Sequence, residues 1–80
     1  MPVVFRHRGI RFHFFSNEAD PREPVHVYAK RDDAEAKLWL VPMVSVAESF
    51  GFTSREQAEL VRVAEGRKDE ILRSWYEHFG

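Results

Sequence analysis

Two runs of strict alternation on either side of a short polar turn do most to limit what this chain can fold into. Val25-His26-Val27-Tyr28-Ala29-Lys30 turns Val25, Val27 and Ala29 one way and His26, Tyr28 and Lys30 the other. After Arg31-Asp32-Asp33, the run Ala34-Glu35-Ala36-Lys37-Leu38-Trp39-Leu40 repeats the pattern, with Ala34, Ala36, Leu38 and Leu40 opposite Glu35, Lys37 and Trp39. Such a pair is an antiparallel hairpin with one greasy face, and that face must be covered.

The N-terminal segment supplies a second hairpin. Val3–His7 and Ile10–Phe15 flank Arg8-Gly9, a pair suited to a tight turn, and place Ile10, Phe12 and Phe14 on the apolar side with Arg11, His13 and Phe15 opposite. Met43–Ala47 is ambiguous. Val44 and Val46 alternate as in a strand, whereas Met43, Val46, Ala47 and Phe50 also fit helical spacing; Pro42 favours a short edge strand. Between the hairpins, Ser16–Pro24 is a polar loop with two prolines, of the kind that often carries function.

Thr53-Ser54-Arg55-Glu56 has the form of a capping box, and the pattern behind it is helical. Leu60, Ala64, Ile71, Trp75 and Phe79 make one stripe, widened by Val61, Val63, Leu72 and Tyr76. The expected fold is therefore α+β: an antiparallel sheet of four to five strands with one long C-terminal helix packed on one face, in a single domain spanning 1–80. An unbroken helix from Ser54 to Phe79 measures about 39 Å, longer than such a sheet is wide, so a bend near Gly66 is expected.

One helical layer covers one face of the sheet. The other face is expected to present Arg11, His13, Phe15, His26, Tyr28, Lys30, Glu35, Lys37 and Trp39, a basic and aromatic set with a single acid. Side chains of these types stack on bases and contact phosphates, which makes Arg11, Tyr28, Lys30, Lys37 and Trp39 the candidate nucleic-acid-binding residues. His26 and His13 are the candidates for acid–base catalysis there, since imidazole titrates near neutrality. The competing readings are an ordinary solvated face, a homodimer contact through Trp39 or Phe15, and a His26 that only hydrogen-bonds the proline-rich loop.

Other chemistry is disfavoured. The chain has no cysteine, so disulfides and thiolate metal sites are excluded. His-x-His and His-Glu-x-x-His are absent, and the acids Glu18, Asp20 and Glu23 read as solvated, so no metal site is expected. A P-loop, a Gly-rich dinucleotide fingerprint and a Gly-x-Ser-x-Gly elbow are also missing, and no cofactor is expected. A net charge of −1 gives no global pull toward nucleic acid, so such a role needs a local patch. The N-terminus has no long apolar run, which points to a cytoplasmic protein without a membrane partner.

Four motifs in order, Phe12-His13-Phe14-Phe15-Ser16-Asn17-Glu18, Pro24-Val25-His26-Val27-Tyr28, Ala34–Leu40, and Gly51-Phe52 before a helix ending Ile71-Leu72-Arg73-Ser74-Trp75, resemble the family catalogued as domain of unknown function 4160. The resemblance implies a small bacterial protein, half of a two-gene pair in toxin–antitoxin-like arrangements. Two departures stand out: Tyr28 occupies the second histidine of a family His-x-His strand, and Gly66 stands where relatives carry a helix former. The expectation is a cytoplasmic component of such a pair, with a cognate small protein partner, that binds RNA through the exposed face and in its stronger form cleaves it as an endoribonuclease. The alternative is a non-catalytic module that docks a partner or a second copy of itself.

Overall fold

The computed structural model describes residues 3–15 and 23–79. Five strands, β1 (Val3–His7), β2 (Ile10–His13), β3 (His26–Arg31), β4 (Ala34–Trp39) and β5 (Ser45–Phe50), precede two helices, α1 (Ser54–Gly66) and α2 (Lys68–Phe79). The strands form one sheet in chain order, and each neighbouring pair is antiparallel. The architecture is α+β. Most of the loop read as Ser16–Pro24 lies outside the described residues, as do Glu18 and Asp20.

Both long hairpins are closed by two residues. Arg8 and Gly9 stand at positive φ (49° and 79°), the twist that suits a two-residue connection, and this pairs His7 with Ile10 and Arg6 with Arg11. Asp32 likewise takes φ 53° between Arg31 and Ala34. With register set, the apolar set falls on one face: Phe12, Val27, Ala29, Leu38 and Leu40 are fully buried under Leu60, Ala64, Ile71 and Trp75 of the helices.

The helical layer corrects the expectation of one long helix. Its chain breaks at Arg67 (φ −122°, ψ 24°), whose N–H donates to the carbonyls of Val63 and Ala64 while its own carbonyl accepts from the Ile71 N–H. Arg67 thus closes α1 and opens α2. The reason is length: a straight helix of about 39 Å exceeds the longest dimension of the molecule, 33 Å. The break lets α1 pack by β5 and α2 return beside β1. Arg67 is held there by Glu70, at 2.8 and 3.2 Å, and by the face of Phe5, 3.8 Å from its guanidinium carbon. Phe5 in turn stacks on Phe12 at 4.5 Å. Tyr76, expected to widen the buried stripe, is exposed instead.

The capping box forms as its sequence predicts: Glu56 N–H donates to the Thr53 hydroxyl (3.1 Å), and Thr53 N–H donates to the Glu56 carboxylate (2.8 Å). The same carboxylate receives Arg31 from the end of β3, tying the helix start to the sheet. The Arg31 hydrogen bond, helped by the Thr53 backbone, holds the Glu56 carboxyl below its ordinary pKa, and Glu56 raises that of Arg31.

The segment read as ambiguous is a strand, β5, with a bulge. Leu38 pairs with Val46 but Lys37 pairs with Glu48, so Ala47 is an extra residue. Val44 and Val46 therefore lie on the core side, whereas Glu48 and Phe50 share the face of Lys37 and Glu35.

Glycine substitutions separate the constraints. Gly51 has φ +83°, and a Cβ there meets the Cα of Ala34 at 3.0 Å, so Gly51→Ala should destabilise by more than about 1 kcal/mol. Gly66 has open space around it and helical backbone, and Gly66→Ala should stabilise by up to about 1 kcal/mol. Urea denaturation of the two variants beside the parent checks both signs.

Candidate nucleic-acid interface

Strand pairing decides which side chains share the open face. One row crosses the sheet as Arg6, Arg11, Lys30, Glu35 and Phe50, each the direct register partner of the next. A second runs His13, Tyr28, Lys37 and Glu48, and a third His26, Trp39 and Ser45. All the residues expected to bind nucleic acid, namely Arg11, Tyr28, Lys30, Lys37 and Trp39, lie on this face, and each is partly exposed. Arg6, Glu48 and Phe50 join them without having been anticipated. Arg6 was within reach, because the two-residue Arg8-Gly9 turn alone places it opposite Arg11; Glu48 and Phe50 were hidden by the bulge.

The two histidines are on the expected strands but not at the surface. His13 is 0 % and His26 1 % exposed. Rings lean over them: Phe15 and Tyr28 lie 5.0 and 5.9 Å from His13, and Tyr28, Trp39 and Trp75 lie 5.6, 5.7 and 5.1 Å from His26. Trp75 reaches His26 from α2, so the helical layer closes this end of the strand. His26 Nδ1 lies 2.9 Å from the Pro24 carbonyl, the loop contact that its position suggested. A general acid or base must come within hydrogen-bond reach of the proton it moves, and both rings are buried among their aromatic neighbours.

His13 is buried without satisfaction. Among the described residues neither ring nitrogen meets hydrogen-bond geometry. Burial is the main cause holding its pKa below the ordinary 6.5; the Phe14 backbone and Glu35 oppose the shift, while Arg11 and Lys30 reinforce it.

The cations divide into two groups. Lys37 is engaged within the protein, its ammonium 2.9 Å from the Glu23 carboxylate and 4.6 Å from the Trp39 ring centre, so it shields Trp39. Arg6, Arg11 and Lys30 have no ion-pair partner among the described residues, and the buried Arg11 Nε lacks a hydrogen-bond acceptor there. Like charges directly opposite one another across strands destabilise a sheet, and Arg6–Arg11 and Arg11–Lys30 are two such pairs in succession.

Among the described residues no group of three or more His, Asp or Glu side chains could hold a metal ion, and no helix is long and apolar enough to cross a membrane. Fold and site together define an α+β protein with a helix-backed meander and an open face whose β1–β3 half is cationic. It belongs to the family described as domain of unknown function (DUF4160), whose model matches residues 9–76. No curated protein and no solved structure matches the chain.

The buried imidazole sets a pH dependence. With the folded pKa of His13 lowered, the unfolded chain takes up the proton first, so stability is complete above about pH 6.5 and declines as pH falls through that region. The midpoint of thermal unfolding should drop between about pH 7.5 and 5.5, and His13→Phe should flatten the drop and raise stability at neutral pH by about 1 kcal/mol.

Proposed function

We propose that this protein binds single-stranded RNA through the open sheet face, with Arg6, Arg11 and Lys30 taking the phosphate backbone. The observation that supports this reading most is the in-register row of Arg6, Arg11 and Lys30, none of which forms an ion pair among the described residues even though Glu35 is the register partner of Lys30. Such an arrangement costs folding energy, and an anion lying across it relieves the repulsion. Spread over three strands about 4.8 Å apart, the row spans about 10 Å between its end Cα atoms, a track rather than a point. The half-exposed rings of Tyr28 and Phe15 border it and offer stacking surface. Binding without cleavage is the form favoured, because His13 and His26 are enclosed. The cytoplasmic, toxin–antitoxin-like setting implied by the family resemblance is the context proposed for it.

Fluorescence anisotropy with single-stranded RNA of about 12 nucleotides tests the reading. Arg6→Ala, Arg11→Ala and Lys30→Ala should each weaken binding and each reduce the slope of log affinity against log salt by about 0.7, whereas Arg62→Ala on α1 should change neither. Arg11→Ala should also leave the unliganded protein as stable as the parent or more so, since it removes both like-charge pairs. Absent binding, or a salt slope indifferent to all three, removes the proposal.

A second reading, docking of a cognate small protein or a second copy, is favoured by one feature: β5 is a sheet edge with Glu48, Ser49 and Phe50 exposed. It predicts an assembly larger than a monomer by light scattering that Ser49→Pro dissociates.

A further inference from the structure

The cationic row ends in residues that repel phosphate. Beyond Lys30 the next partners are Glu35 and then Phe50, and Glu48 stands two residues before Phe50 on the same side of β5. Tyr28, Glu35, Lys37, Glu48 and Phe50 line a cleft of about 270 Å³, near the lower bound of about 300 Å³ for small-ligand pockets. Phe50 is 73 % exposed, the largest such value among the exposed large apolar side chains of the described residues. Neither Glu35 nor Glu48 has an ion pair or side-chain hydrogen bond among those residues, although Lys30 and Lys37 are their register neighbours. An exposed ring flanked by two uncommitted carboxylates has no evident part in holding the fold.

We propose that this cleft is a guanine subsite of the RNA-binding face, with Phe50 as the stacking platform and the Glu48 carboxylate as acceptor for the base edge. The inference rests on the RNA-binding reading and adds base preference to it. An ionised carboxylate is acceptor-only, with two oxygens side by side. The Watson–Crick edge of guanine presents two adjacent donors, N1–H and the N2 amino group, which match those oxygens. Adenine and cytosine offer one amino donor next to an acceptor nitrogen, and uracil one donor between two carbonyls, so each sets an acceptor against the carboxylate. Unstacked bases in single strands are read on this edge while resting on an aromatic side chain.

The placement also orients the nucleotide. Residues two apart on a strand lie about 6.7 Å from one another on one face, which puts the Glu48 carboxylate beside a base stacked on Phe50. Lys30 lies two strands from Phe50, about 10 Å, and Glu35 between them turns phosphate away from the cleft and toward the cationic row.

Anisotropy with uridine oligonucleotides of about 12 residues carrying one central guanine, inosine, adenine or cytosine tests the subsite. The guanine RNA should bind about tenfold tighter than the adenine and cytosine RNAs, and inosine, which lacks the amino group, should lose most of that advantage. Glu48→Gln and Phe50→Ala, both at exposed positions, should bring guanine level with the others while keeping the salt dependence; circular dichroism establishes that they fold. In solution NMR, guanosine 5′-monophosphate should shift the amides of Glu48 and Phe50 more than adenosine 5′-monophosphate does. Salt-dependent binding with equal affinity for the four RNAs overturns the subsite and leaves the RNA-binding reading intact. An arginine-rich peptide that binds in a Glu48-dependent way while guanine confers no advantage also overturns it. Failure of every RNA to bind overturns both.

Discussion

Strand register is the constraint on which everything else in this molecule rests. Because side chains alternate faces with a period of two, a slip of one residue would carry Phe12, Val27, Ala29 and Leu38 into solvent and Arg11, Tyr28 and Lys37 into the core. Two-residue turns prevent it. Arg8-Gly9 locks β1 to β2, Asp32-Asp33 locks β3 to β4, and β2 meets β3 through the pairing of Phe12 with Ala29. The same locking that buries the apolar face lines up Arg6, Arg11 and Lys30 on the other. The cationic row is thus a consequence of the register that makes the core, and not a separate addition to it.

The helical layer completes the burial and shapes the open face indirectly. Arg67 sits on Phe5, Phe5 on Phe12, and the break between α1 and α2 is held by that stack and by the pair with Glu70. Once α2 turns back, Trp75 meets Phe14 at 5.5 Å and His26 at 5.1 Å. An imidazole that alternation assigns to the outside is thereby enclosed. His13 is enclosed by Phe15 and Tyr28 on its own face, and because those rings keep water away, ring nitrogens that find no partner among the described residues are a standing cost to the fold. What remains open is cationic at the β1–β3 side and acidic with an exposed ring at the β4–β5 side.

Where reading the chain fell short, the causes are particular. Leu60, Ala64, Ile71 and Trp75 stay in one helical phase across Arg67, so the stripe reads as one helix even though the backbone is interrupted. The extra residue Ala47 shifts the alternation of β5 by one, which is why Met43, Val46, Ala47 and Phe50 imitate helical spacing and why Glu48 and Phe50 were not assigned to the open face. The catalytic assignment of His13 and His26 rested on parity, and parity gives the face of a residue without saying what leans over it.

By itself the sequence determined strands β1 to β4, their faces and the start of the helical layer, since alternation, turn residues and the capping box act within a few neighbouring residues. It determined which side chains could be buried and, through the Arg8-Gly9 turn, that Arg6 lies opposite Arg11. Only the tertiary structure decided exposure within the open face: which cations are neutralised, which histidines are covered, and where a cleft forms. Those outcomes depend on residues far apart in the chain, Trp75 against His26, Glu23 against Lys37 and Phe50 against Glu35, and no local pattern encodes distances of that kind.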